Sequence, residues 1–268
     1  MFSYKSVYRG KGLLPPVFTG STLKLFALVF MLIDHIGAVI LEHGVIHAYN
    51  QQLPTALSYP ASLFCSQIDQ VLRGIGRLAF PIFCYCLTVG LLYTHDIRRY
   101  LGRLAIFAVI SQPFYALAFH PHEFWANLTN WNIFVTLFFS LLAIYGVKTR
   151  TWWWFVLGVL AINLLNADYA NTGVVLTLIF YLCRNKPRLG AALYVLSYIS
   201  ALWGGSPEDP LALVIGGRAV GFEIFAILAA PLIFLPTHVA PKIPKWFFYA
   251  FYPAHLLVIF LARTALGV

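Results

Sequence analysis

Charge is what this sequence has least of: only 10% of its 268 residues are Asp, Glu, Lys or Arg, while 60% are hydrophobic. Ordinary globular proteins carry about 25% charged residues, so a water-soluble globule, which must cover itself with polar groups, is excluded. Acids are the scarcer sign, nine against eighteen Lys and Arg. In a soluble protein the resulting net charge of +9 would suggest nucleic acid. Here the basic residues fall in short clusters between apolar runs, the pattern of a membrane topology signal, so no nucleic-acid partner is expected. Cysteine is sparse, and Cys65, Cys84, Cys86 and Cys183 show neither zinc-finger nor CxxC spacing, which leaves no metal site. Three of the four lie inside apolar segments, where packing is their expected role. No Walker loop, HExxH or GxSxG occurs. Gly74-Ile75-Gly76-Arg77-Leu78-Ala79 formally matches a dinucleotide fingerprint, but no strand precedes it.

What the chain does have is length in its apolar runs, with a mean hydropathy of +0.79. Runs between polar breaks predict helices at about 22–43, 71–94, 101–119, 132–147, 152–166, 172–183, 189–203, 211–236 and 246–265, the eighth beginning with a re-entrant piece. The expected fold class is therefore all-α, a polytopic transmembrane helix bundle of about nine spans, forming a single domain over 1–268 with a basic cytoplasmic tail at 1–21. No short apolar region with a small-residue cleavage site follows that tail, so the first segment reads as an uncleaved anchor. Orientation follows from Lys and Arg, which concentrate in cytoplasmic loops. With the N-terminus inside, inner segments hold Lys5, Arg9, Lys11 and Lys24; Arg98, Arg99 and Arg103; Lys148 and Arg150; Arg184, Lys186 and Arg188; and Lys242 and Lys245. The outer side keeps Arg73, Arg77, Arg218 and Arg263, each at or within a helix end. Residues 50–70 form a long first outer connection, Gly217 and Gly221 suit close helix packing, and Asp168 and Tyr169 in "NADYANTG" read as outer-loop residues.

Against this background a few polar residues stand out. Asp34 lies near the centre of the first span, where an unpaired Asp costs ~2.5–3.5 kcal/mol, so it must face protein or water. His35 lies eleven residues past Lys24, ~16 Å deeper at 1.5 Å per residue. Sequence neighbours diverge by about 100° around a helix, so Asp34 and His35 need separate partners; Arg77 is the expected partner of Asp34. His255 in "FYPAHLLVIF" stands ten residues past Lys245, ~15 Å deeper, so the two imidazoles can meet at one depth. Arg73 and Arg77 are four apart, share a helix face and border an outward polar pocket. On the inner side Arg99 and Arg103, with Arg98 beside them, form either a phosphate clamp or a plain positive-inside anchor.

Several blocks carry a family resemblance: "LKLFALVFMLIDHIG", "LRGIGRLAFPIF", "RRYLGRLAIFAVISQPF", "NWNIFVTLFFSLL" and "FYAFYPAHLL". In this order they resemble the TraX family of conjugative-pilus proteins, polytopic inner-membrane proteins associated with acetylation of the pilin N-terminus. That family is distantly similar to membrane O-antigen acyltransferases, in which a basic residue, ten others and then His mark the first span; Lys24 and His35 match that spacing. Those enzymes also carry Arg-x-x-Arg near the third span, whereas Arg99 and Arg103 here are one residue wider apart. The resemblance implies acetyl transfer from acetyl-CoA to a membrane-held acceptor, a pilin amine, in the bacterial inner membrane. In that scheme His35 is the base and Asp34 ties helix one to a cation. Arg99 and Arg103, aided by Arg98 and Lys24, hold the donor's phosphates, and Arg77 or His255 faces the oxyanion, with Arg73 beside the substrate. Alternatives are a glycan or lipid hydroxyl acceptor, a non-enzymatic pilus-assembly factor, and a proton-coupled transporter, for which no inverted repeat is visible.

Overall fold

The computed structural model describes residues 20–165, 167–204, 214–234 and 243–267. Lys5, Arg9, Lys11 and most of the expected basic tail, Lys242, and the start of the expected 211–236 helix lie outside the described residues. Five helical stretches among the described residues are long and apolar enough to cross a bilayer: Thr22–Asn50, Tyr59–Tyr93, Ile97–Phe119, Ala126–Thr149 and Trp246–Leu266. The chain thus reads as a multi-pass membrane protein, and among the described residues its regular structure is helical except for one two-stranded ribbon.

Helix α1 (Gly20–Ile36) runs without interruption into a π-helical stretch (Gly37–Ile46) and a last α turn, α2 (His47–Asn50). The first helix therefore extends beyond the expected end at 43. The π-helical stretch starts where the chain passes close to its neighbour: a Cβ on Gly37 would lie 2.8 Å from Asp69 Oδ1 and 3.2 Å from Leu72 Cβ.

The expected long connection over 50–70 is replaced in large part by a helix, α3 (Tyr59–Gly76), with Pro60 at its first turn. Proline is favoured there because its missing N–H would be unpaired in any case. The face of α3 that packs inward carries Ser62, Ser66 and Asp69, while Phe64, Val71 and Ile75 are exposed. This amphipathy is the reverse of a soluble helix: apolar side chains face lipid, polar ones face protein. The helix ends at Gly76, and α4 (Ala79–Tyr93) follows after a turn at Arg77 and Leu78. Pro81 accounts for the break. It has no N–H to donate to the Arg77 carbonyl, four residues back, and its ring crowds that carbonyl.

Beyond α4 lie α5 (Ile97–Phe119), α6 (Ile133–Thr149) and α7 (Trp152–Leu164). The tight α6–α7 hairpin turns through Arg150, which takes the left-handed conformation at φ 59°. Gly158 lets the two helices touch, because a Cβ there would sit 2.8 Å from the Phe139 carbonyl oxygen. The loop before α6 is pinned to α5 by Gln112, which donates to the Asn130 carbonyl at 2.7 Å and accepts from Asn132 Nδ2 at 2.8 Å. Helices α8 (Ala170–Leu182) and α9 (Pro187–Ser197) follow. With 13 residues each, α7 and α8 extend roughly 20 Å, short of a hydrocarbon core of ~30 Å. Against the nine expected spans, five helical stretches among the described residues have the length and composition to cross.

The expected 211–236 helix is not continuous in its described part. An antiparallel ribbon, β1 (Val214–Ile215) and β2 (Arg218–Ala219), precedes a 3-10 stretch (Phe222–Ala229) and the short α10 (Ala230–Phe234). Gly217 sits at the ribbon turn with φ +78° and nothing within 4 Å of its Cβ position, so Gly217 and Gly221 do not form a helix-packing motif. The chain closes with α11 (Lys245–Leu266). The apolar core gathers Leu23 and Ala27 of α1, Ile82 and Leu91 of α4, Leu141 and Ile144 of α6, Leu176 of α8 and Leu256 of α11. Cys84, Cys86 and Cys183 are buried free thiols, as packing residues should be.

Helix α1 meets α3 so closely that a Cβ on Gly76 would overlap the Asp34 side chain. Gly76→Ala should therefore lower stability by about 1–3 kcal/mol, the usual cost of overpacking, read as a reduced thermal midpoint of the detergent-solubilised protein. Gly102→Ala, on α5 with open space around it, is the control and should leave the midpoint unchanged or raise it.

Candidate functional site

Asp34 and His35 leave α1 in different directions, as their spacing requires, and each finds its partner on another helix. Asp34 Oδ2 lies 2.7 Å from Arg73 Nη1, both side chains being largely buried. The expected partner, Arg77, is not the one used. Arg77 lies one turn further on, at the break after α3, and its Nη1 donates instead to the Tyr169 hydroxyl at 2.7 Å.

Arg73 also faces a second carboxylate, with Nε 3.2 Å from Glu42 Oε2. In regular helix the eight residues from Asp34 to Glu42 would cover ~12 Å along the axis. A π turn holds more residues than an α turn, so the stretch from Gly37 shortens that distance and lets both carboxylates reach one guanidinium. A cation between two anions also satisfies the requirement that buried charge be paired.

His35 meets His255 of α11. Their Nδ1 and Nε2 atoms are 2.6 Å apart, and the rings are nearly coplanar, 3° between planes with centroids 4.9 Å apart. The rings therefore touch edge to edge through one hydrogen bond rather than face to face. The network assigns the tautomers. His255 Nδ1 lies 2.8 Å from the Phe251 carbonyl oxygen, which can only accept, so Nδ1 carries the proton and Nε2 is the acceptor. His35 must then donate from Nδ1, which leaves its own Nε2 as a free lone pair. Tyr252 and Phe119 enclose the His35 ring edge-on at 5.9 and 5.6 Å.

Phe119 is also the boundary of a cavity. Its ring lies edge-on to His43 at 5.5 Å, and His43, His120, Glu123 and Arg263 line a cavity of about 200 Å³ beyond it. Arg263 is held there by the carbonyls of His43, at 2.8 Å, and Ala118, at 3.2 Å. One aromatic ring thus stands between this cavity and the His35 imidazole. The described residues contain no group of three His, Cys, Asp or Glu arranged to hold a metal ion.

Asp168 and Tyr169 are not free loop residues. Tyr115 donates its hydroxyl to Asp168 Oδ1 at 3.1 Å, Thr136 donates to the Asp168 carbonyl, and Tyr169 stacks on Phe80 with centroids 4.1 Å apart. Arg77 and Tyr169 line a second cavity, of about 260 Å³, whose other walls include Thr172, Ser197, Ser200 and Glu223. Sequence reasoning missed Tyr169, Glu42, Glu223 and Phe119. A carboxylate inside an apolar run, as at Glu42, is the one signal that was available.

At the end of the bundle assigned to the inside, three helices bring basic and aromatic groups together. Lys24 Nζ of α1 lies 5.5 Å from the centre of the Phe248 ring of α11. Arg103 of α5 lies 3.5 Å from the Tyr249 hydroxyl and 5.5 Å from the Tyr100 ring centre. Arg99 is engaged elsewhere: its Nε pairs with Asp96 Oδ2 at 3.0 Å in the first turn of α5. Arg98 is exposed.

No solved structure matches the chain. A protein of Dichelobacter nodosus described as a probable fimbrial assembly protein FimC, serogroup H1, is 26% identical over 263 residues, covering 93% of this chain and 97% of the relative. The TraX protein family model matches residues 19–263. That match takes in α1 through most of α11, with both histidines of the coplanar pair and both arginines of α3 and its break, and the chain belongs to the TraX family.

Proposed function

We propose that this protein is an acyltransferase of the bacterial inner membrane that moves an acetyl group from acetyl-CoA to the N-terminal amine of a pilin subunit. The family is associated with pilin acetylation, and the single observation that carries the reading is the histidine pair with one nitrogen left basic. The neutral acceptor amine attacks the thioester carbonyl carbon, its proton goes to His35 Nε2, and the carbon–sulfur bond breaks to release the CoA thiolate, which leaves as the thiol once it takes a proton and the imidazole returns to its neutral form. Neutral imidazole, with an unperturbed pKa near ~6.5, suits that step.

Once His35 has accepted the proton it can pass its Nδ1 proton across the 2.6 Å bond to His255. Positive charge is then shared by two rings, with the Phe251 carbonyl facing the far N–H. In this scheme Asp34 is a positioning residue: through Arg73 it holds α1 against α3, and so holds His35 at the depth of His255. The lone N–H of resting His255 is committed to Phe251, so of the two oxyanion donors expected, Arg77 is the one with donor capacity left beside its bond to Tyr169. The inner cluster fits a nucleotide donor. Lys24 and Arg103 would face its phosphates, with Arg98 and Arg99 at the rim and Phe248 and Tyr249 offering flat surfaces for a base.

A second reading has an observation of its own: the Dichelobacter relative is named for fimbrial assembly, with no reaction in its name. On that reading the buried polar pairs serve helix association alone, and no nucleotide binds.

Intact-mass measurement of a co-expressed pilin separates the two. The acetyl group adds ~42 Da, and His35→Ala should remove it, because loss of a general base costs roughly 10²–10⁴ in rate. His255→Asn should slow the reaction less than His35→Ala while lowering its pH sensitivity, since the second ring no longer shares the charge. Full acetylation with His35→Ala would end the base assignment. Lys24→Ala and Arg103→Ala should each weaken CoA binding to the solubilised protein roughly tenfold, the scale of one charge-assisted contact at about 1.5–3 kcal/mol, by calorimetry. Absence of any CoA binding to the unmodified protein would favour the assembly reading.

A further inference from the structure

The mechanism above makes no use of the cavity that Arg77 enters. Its guanidinium is almost wholly buried, yet its charge has no close counterion. Nη1 is bonded to a neutral hydroxyl, that of Tyr169. Nε is buried and makes no hydrogen bond among the described residues. The Glu223 carboxylate is the sole ion-pair partner of Arg77 among the described residues and stands 4.0 Å from Nη2, beyond hydrogen-bonding distance. Asp34 is committed to Arg73 at 2.7 Å, and Asp168 accepts from Tyr115. A guanidinium has five donors, and a buried charge is stable only when paired and hydrogen-bonded. Arg77 and Glu223 both line about 260 Å³ of space, so the loosely paired donor tied to that space is Nη2, while Nε is shut away from it.

The walls of that space indicate what would complete it. Tyr169, Thr172, Ser197 and Ser200 bring hydroxyls, and Phe80 brings a flat apolar surface. Arg77 is the one cationic residue in the lining, so the site matches a single negative charge. A phosphate monoester, with up to two charges, would leave one uncompensated. The planar two-oxygen geometry of a carboxylate also matches the guanidinium fork. Glu223 belongs to the 3-10 stretch that follows the ribbon, and its side chain is half exposed. It can therefore swing outward when another carboxylate takes its place.

We propose that this cavity is a binding subsite for a ligand carboxylate, which docks on Arg77 and Tyr169 and displaces Glu223. The inference does not rest on acetyl transfer, and its test contains no acetyl donor, so the two fail independently.

The test is thermal unfolding of the full-length protein in detergent at fixed ionic strength, titrated with N-acetyl-glutamate amide, with its glutamine counterpart and with inorganic phosphate. A ligand bound only by the folded state raises the midpoint as its concentration passes its dissociation constant. The glutamate probe should raise the midpoint and the glutamine probe should not. In Glu223→Gln, which removes the internal competitor from a half-exposed position, the half-effect concentration should fall at least about fivefold. In Arg77→Lys it should rise about tenfold or more, since an ammonium lacks the fork; Tyr169→Phe should weaken the response in the same direction and stands in if Arg77→Lys does not fold. Equal responses to the glutamate and glutamine probes, no response in Glu223→Gln, or an equal or stronger response to phosphate would each overturn the proposal.

Discussion

The whole site depends on one guanidinium held between two carboxylates inside the membrane region. Arg73 on α3 reaches Asp34 and Glu42, both on the first long helix. Charges out of water interact far more strongly than at a surface, and removing Arg73 would leave the buried Asp34 carboxylate without its cation, while Glu42, nearly half exposed, keeps its contact with solvent. The arrangement fixes how far α1 can slide or turn against α3. His35 is the next residue after Asp34, so whatever fixes Asp34 also fixes the ring that meets His255.

The local geometry serves that interaction at each step. The π-helical stretch draws Glu42 toward Asp34, Gly37 and Gly76 let the two helices approach, and Pro81 ends α3 where Arg77 must turn to Tyr169. The histidine pair lies about 100° around α1 from Asp34, held by aromatic edges and one backbone carbonyl. Two polar systems of different chemistry, one ionic and one neutral, are thus organised on neighbouring faces of a single helix.

Much of this was legible in the chain. A membrane bundle, the depth of His35 and His255 and their convergence all follow from apolar run length and 1.5 Å per residue. That Arg73 and Arg77 share a helix face follows from a four-residue spacing. Which arginine takes Asp34 was not legible, because it depends on where Pro81 ends the helix and on a tyrosine ninety-two residues away. The helix over 59–76 escaped notice because serines, glutamines and an aspartate dilute its hydropathy. Glycines 217 and 221 suggested helix packing through spacing alone, while the ribbon turn at Gly217 uses the conformational freedom that glycine also provides. Asp168 and Tyr169 looked like loop residues since hydrogen bonding from Tyr115 and Arg77 has no signature in local sequence.

The reversed polarity of α3 changes which substitutions that helix tolerates. In a water-soluble helix the large apolar side chains are the ones that resist replacement and the serines can be exchanged freely. Here Phe64, Val71 and Ile75 are exposed on a membrane helix, where acyl chains accept any apolar shape, whereas Ser62 and Ser66 are buried against protein. Variation among relatives along this helix should therefore concentrate on its bulky residues and spare its smallest ones.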